Sequence, residues 1–343
     1  MLKHGIAAGA LLAATLAVGP AKADAVADFF RTRTVNILIG YGPGGGYDTY
    51  ARILARHLGK YIPGNPNVLP QNMPGAGSMK VANYIYNAAP KDGTALGMFS
   101  AQTALEPLFG NKQAKFETVK FAWIGNMTRD VASCGAWRTT GIASLQDLLK
   151  SEKDVLFGST GSGTTTGQHA LILKSMLGAK VRIISGYKGI KDIGLAMAQG
   201  EVHASCGMVQ SAIHSAFESD LQRGDLKIFV QFGHRNVPLF GNATNFYTMI
   251  KNDEDRTLAD LFFGQSEISR PIAGPPGMPP ATVAVLRKAM MDALKDPGMI
   301  ADAHRTRNEI IPMTGDEVTR MFAAFYATPP ALVKKAMAIM DRK

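Results

Sequence analysis

Two loops in this 343-residue chain carry residue types suited to holding an anion. The first runs Tyr41-Gly42-Pro43-Gly44-Gly45-Gly46-Tyr47-Asp48. Consecutive glycines let an anion approach the backbone with no Cβ in the way. A helix starting at their end aims unpaired N–H groups, and the positive end of its dipole, at one spot. Asp48 is placed to cap that helix. A glycine-rich turn that binds nothing explains one such loop equally well. The second loop, Ser159-Thr160-Gly161-Ser162-Gly163-Thr164-Thr165, adds hydroxyl donors to the backbone N–H groups. Seven glycine or hydroxyl residues in a row exceed what a helix cap needs, which favours a second anion cradle.

Reaction chemistry is harder to find. The first loop lacks the lysine and the spacing of a phosphate-binding P-loop. Gly161-Ser162-Gly163-Thr164-Thr165-Thr166 misses the dinucleotide pattern at its last position. Ser162 has Thr160 where a nucleophile elbow needs glycine. No two histidines stand at the four-residue spacing of a zinc hydrolase, so no metal or cofactor is expected. His169 follows the second loop closely. It is placed to act as a base for Ser162 or Thr164, but no third group is evident to orient it. The chain has donors for an anion and no recognisable nucleophile–base set.

The elements around the loops alternate. Val35–Ile39 is a short apolar run that reads as a strand, and Tyr50, Ile53, Leu54 and Leu58 then recur at helical spacing. Further strands are expected at 67–73, 94–99, 121–126, 155–158, 181–187, 202–206 and 226–232, with helices between most of them. Such alternation means βαβ units and parallel sheet. Ligands of open parallel sheets lie beyond the carboxyl ends of the strands. Tyr41–Asp48, Pro74–Ser78 and Ser100–Thr103 would share that edge. Val131–Trp137 reads as a crossing into a second domain and Leu226–Phe232 as the return. The C-terminal third is mostly helical, and its methionine and phenylalanine stripes read as core.

The whole composition is globular, with 46% apolar and 19% charged residues. Residues 1–23 read as a secretory signal peptide: a basic start, an apolar run from Ile6 to Val18 and the small-x-small site Ala21-Lys22-Ala23. Its removal takes Lys3 and Lys22 and lowers the net charge from +10 to +8. The basic residues are scattered, with no arm of the kind that grips nucleic acid. Cys134 and Cys206 lie in an exported chain, which permits either one disulfide or two buried thiols.

Several short motifs, in order and at their spacing, resemble one family. They are Pro43-Gly44-Gly45-Gly46-Tyr47-Asp48 followed by Ala51-Arg52, Pro74-Gly75-Ala76-Gly77, Pro90-Lys91-Asp92-Gly93, Gly158-Ser159-Thr160-Gly161-Ser162-Gly163, Tyr187-Lys188-Gly189, Gly200-Glu201-Val202 and Gly274-Pro275-Pro276-Gly277-Met278-Pro279. The chain is similar to the substrate-binding proteins of tripartite tricarboxylate transporters, the Bordetella uptake gene family. The resemblance implies an α/β, two-lobed periplasmic binding protein of type II. Each lobe would hold a mixed, mainly parallel sheet flanked by helices, with lobe 1 from 24–128 and 234–343 and lobe 2 from 129–233. It implies a periplasmic, monomeric receptor that closes on a small di- or tricarboxylate or aromatic acid and hands it to membrane permease subunits.

The resemblance also assigns the site. The ligand would be held by Tyr41, Gly44, Gly45, Gly46, Tyr47, Asp48 and Ser100 on one lobe. Ser159, Thr160, Gly161, Ser162, Gly163, Thr164 and Thr165 would hold it from the other, with the edge near Tyr187 and the strand end near Gly207. Ser78 stands where the family usually has glycine. Cys134 and Cys206 are a departure from the family, which would carry apolar or small residues there; a bridge between neighbouring strands of lobe 2 is the reading proposed for them. Two other readings use the same residues: a sensing module for a signalling partner, and a secreted hydrolase built on Ser162 and His169.

Overall fold

The computed structural model describes residues 21–161, 164–187 and 189–340. The signal-peptide reading lies largely outside them; the expected cleavage site, Ala21-Lys22-Ala23, falls at the start of a helix, Ala21–Arg31. In chain order the strands are β1 (Thr34–Ile39), β2 (Asn67–Asn72), β3 (Ala95–Met98), β4 (Ala122–Asn126), β5 (Ala132–Trp137), β6 (Val155–Ser159), β7 (Val181–Ser185), β8 (Ala204–Met208), β9 (Leu226–Phe232), β10 (Thr244–Asn245), β11 (Pro271–Gly274) and β12 (Met313–Thr314). They form two six-stranded sheets, in the orders β12-β4-β11-β3-β1-β2 and β10-β9-β5-β8-β6-β7.

The strands form where apolar runs are covered on both faces. Val35, Ile37, Leu38 and Ile39 of β1 are all buried, the pattern of a central parallel strand. The helix Gly46–Leu58 lays Tyr50, Ala51, Ile53, Leu54 and Leu58 against that sheet as one stripe. β1 runs parallel to β2 and β3, and β6 parallel to β7 and β8. β11 and the edge strand β12 oppose this direction in the first sheet, and β5 in the second. β11 lies antiparallel between β3 and β4, and β5 antiparallel between β8 and β9. The inner orders β2-β1-β3-β11-β4 and β7-β6-β8-β5-β9 are therefore the same arrangement, used twice.

The lobe boundary expected at 233 needs correction. β10 pairs in parallel with β9, so the chain stays on the second sheet through Asn245. Phe263 then stacks on Phe232 at 4.5 Å and meets Phe246 edge-on at 5.1 Å. The reason is apolar: these rings complete a buried cluster on lobe 2 that β9 leaves half covered. Only at β11 does the chain rejoin the first sheet. The C-terminal helix Pro330–Ile339, also expected in lobe 1, packs against the lobe 2 helix Thr165–Leu177. Among the described residues no helix is long and apolar enough to cross a membrane.

Candidate functional site

The glycine loop is shaped by Asp48, but not as a cap. The helix N-cap is Gly45, whose position has no side chain to offer. Asp48 sits a turn inside, buried, and reaches back to accept from the Gly44 N–H at 2.9 Å. It also accepts from Arg52 Nε at 2.9 Å and Asn72 Nδ2 at 2.8 Å. Burial alone would raise its carboxyl, but these three donors more than offset that and hold it at about 2. Asp48 is thus a clip that folds the loop, and its oxygens are already engaged. Tyr41 and Tyr47 stack at 4.3 Å beside it.

The loop after β3 is built against the loop after β2. Ser100 caps the helix Ala101–Leu105 by accepting from the Thr103 N–H at 3.0 Å. Its own N–H donates to Ser78 Oγ at 3.1 Å. Ser78 has φ of +79°, a left-handed conformation that explains why glycine would be at ease there. Its hydroxyl, bonded to Ser100 and lying 3.0 Å from Thr103 Oγ1, offsets the strain.

The hydroxyl loop after β6 spends many of its donors on itself. Ser159 is fully buried and its Oγ takes the Gly161 N–H at 3.0 Å. Thr166 Oγ1 takes the Thr160 N–H at 3.0 Å, and Thr164 Oγ1 donates to Gly161 O at 2.7 Å. Ser162 and Gly163 lie outside the described residues. Across the loop, Cys134 and Cys206 are joined in a disulfide between β5 and β8, the pairing expected of them. Register shifts there, so that Cys206 and Gly207 together face Cys134. Gly207 has φ of +70°, and a Cβ on it would lie 2.8 Å from Thr165 Oγ1.

These strand ends meet in one crevice between the lobes. A cavity of about 760 Å³ is lined by Tyr41, Gly77 and Gln102 of one lobe and by Thr160, Thr164 and Thr165 of the other. A second, of about 210 Å³, shares Tyr41, Gln102 and Thr165 and adds Tyr47, Ser100, Gly207 and Arg270. Gln102 Nε2 donates to Gln168 Oε1 at 2.8 Å and ties the lobes together at the middle. Of the residues singled out in sequence, Gly44 and Gly45 are exposed and line neither cavity, while Gly46 backs Arg270. Tyr187 is turned away; its hydroxyl donates to Glu201 at 2.6 Å.

The hydrolase reading does not survive this geometry. His169 is 1% exposed and wedged between Phe232 and Phe263, each ring centre 5.1 Å away. Neither ring nitrogen has a partner, and burial pushes its pKa down to about 3. It faces an aromatic core and has no hydroxyl within hydrogen-bond reach.

The sequence model for the tripartite tricarboxylate transporter family receptor matches residues 50–337. The chain belongs to that family. The receptor is 25% identical over 341 residues to a UPF0065 protein from the gbd 5′ region of Cupriavidus necator, covering 97% of each. Its fold is similar to that of a TctC solute-binding protein from Polaromonas, with a TM-score of 0.67 at 20% identity, covering 89% of this chain and 99% of that one. Two Rhodopseudomonas palustris proteins, one solved with adipate and one with malate, match with TM-scores of 0.64 and 0.63, each at 16% identity. Both comparisons cover 90% of this receptor, and 98% and 99% of the respective neighbours. The two-lobed periplasmic-binding fold is therefore established, and the receptor is a solute-binding protein of the family, not an enzyme.

Sequence reasoning placed Gln102 at the ligand edge within Ser100–Thr103 but did not find Asp130, Gln265 or Arg270, all of which line the crevice. The available signal was faint: a single arginine at the head of a strand, β11, whose four residues are all buried.

Proposed function

We infer that this receptor captures a small organic carboxylate outside the cytoplasm and delivers it to the permease subunits of a tripartite transporter, working as a monomer. The observation that carries this reading is the crevice shared by the two loops, with Tyr41 from one lobe and Thr160, Thr164 and Thr165 from the other. A ligand that touches both lobes favours the closed arrangement, because only then are both sets of contacts made. The exposed glycine loop ends in a helix N-terminus with no side-chain cap, which leaves N–H donors for a carboxylate. Adipate and malate in two fold neighbours support the ligand class. The reading is tested by calorimetry and thermal-shift screening of the purified protein against di- and tricarboxylates and aromatic acids. Binding in the micromolar range by one of them is expected. A flat response across the whole screen refutes it.

A further inference from the structure

The smaller cavity presents two opposite charges side by side. Arg270 is 6% exposed and Asp130 is 7% exposed, and both line it. Arg270 Nη1 is fully engaged: it donates to Ser269 O at 2.8 Å and Ser269 Oγ at 2.6 Å, and lies 3.5 Å from Asp130 Oδ2. Its other edge is not. Nε is buried with no partner, and Nη2 lies against Gly46, so close that a Cβ there would come within 2.8 Å. The rings of Tyr47 and Tyr50, centred 4.4 and 5.2 Å from the guanidinium carbon, hold the group in place. The edge left over is the one arginine uses to take a carboxylate through two parallel N–H bonds. It converges with the uncapped start of the helix Gly46–Leu58.

The same cavity also holds an acceptor that lacks a donor. Gln265 is 8% exposed and its Oε1 is buried with no partner. The amide orientation is fixed, because Nε2 donates to Phe262 O at 2.8 Å. Asp130 Oδ2 accepts from the Ser269 hydroxyl and lies 3.5 Å from Arg270 Nη1, so Asp130 offers a ligand its other oxygen, beside the open Gln265 carbonyl oxygen. A cation and these acceptors around one cavity of about 210 Å³ match a ligand whose carboxylate and donor sit on neighbouring carbons.

We propose that Arg270 anchors the ligand carboxylate, that Asp130 and Gln265 read a donor on the adjacent carbon, and that the receptor therefore selects 2-hydroxy or 2-amino acids over the plain acid. The rest of the ligand extends past Tyr41 and Gln102 toward the larger cavity, which these residues also line. This deepens the receptor reading above and rests on it.

The test compares acids that differ only at carbon 2. One series is glutarate, 2-hydroxyglutarate and glutamate; the other is 3-phenylpropanoate, 3-phenyllactate and phenylalanine. Calorimetry on the disulfide-intact protein is expected to show the substituted members of at least one series binding about tenfold or more tightly than the plain acid, the yield of one hydrogen bond to a charged group. Asp130→Asn should erase most of the preference for the 2-amino member, and Gln265→Leu should weaken both substituted members. Arg270→Gln should weaken all members of the binding series; its ligand-free melting curve reports whether the fold survives. A plain acid that binds as tightly as its substituted partners overturns the proposal. Adipate or citrate binding while neither series binds also overturns it, yet leaves the receptor reading standing. Silence from every acid removes both.

Discussion

His169 gives the protein a pH dependence that one substitution should remove. The imidazole is enclosed by Phe232 and Phe263, has no hydrogen-bond partner, and is held neutral down to about 3 by burial. In the unfolded chain it protonates near the usual histidine value of about 6.5. The folded pKa is depressed, so below pH ~6.5 the unfolded state gains a proton that the folded state refuses. Stability therefore falls with falling pH across the window between about 6.5 and 3. With these two values, the loss between pH 8 and pH 5 is about 2 kcal/mol from this residue alone. His169→Leu, close in volume, should abolish that share. Urea denaturation followed by fluorescence of the buried Trp123 and Trp137, at pH 8, 6 and 5, measures it as a widening stability gap between variant and wild type. At pH 8 the variant should be at least as stable, since two unpaired ring nitrogens are replaced by carbon. A gap that changes by less than about 0.5 kcal/mol between pH 8 and pH 5 would show that the imidazole finds a proton-sharing partner in solution, and the argument fails.

The disulfide closes a long loop, its cysteines standing 72 positions apart, and the chain-entropy view values this at about 4 kcal/mol. Thiol titration of unfolded, non-reduced protein should find no free thiol, and the double Cys134→Ala, Cys206→Ala variant should melt well below wild type. Gly207→Ala places a methyl 2.8 Å from Thr165 Oγ1 at a φ of +70°; a cost of about 2–4 kcal/mol and weaker binding of any acid found in the screen are expected. Gly40→Ala would put a methyl 2.2 Å from Ser78 Cβ and push on the loops after β1 and β2 together, costing about 1–3 kcal/mol in a thermal melt. Asp48→Asn should loosen the glycine loop, read as faster amide exchange at Gly44, whose N–H loses its charged acceptor.

The two loops were legible because glycine and hydroxyl runs at strand ends have few other uses, and the alternation around them prescribes parallel sheet. What escaped is instructive. Asp48 lies where a cap would be expected, but the helix begins at Gly46, one step behind the aspartate's reach forward, so the side chain turns back. His169 follows the hydroxyl loop by a few residues, and sequence adjacency suggested chemistry; a helix turn carries it instead to the face covered by Phe232 and Phe263. Arg270, Asp130 and Gln265 come from segments that cross between the lobes, where no periodicity marks which side chain faces the crevice. The continuation of lobe 2 through Asn245 depends on a two-residue strand, too short to show a pattern.

The first sheet cannot be completed from one uninterrupted piece of polypeptide, because the whole second sheet lies between β4 and β11. β11 must slide between β3 and β4, and it is made only after the whole of the second sheet has been translated. A chain emerging from its amino end thus carries a gap in its first half until nearly four-fifths of it exists, with open strand edges waiting on either side of the gap. Pairings so distant in sequence form slowly. That delay leaves the first sheet open until the late insert closes it.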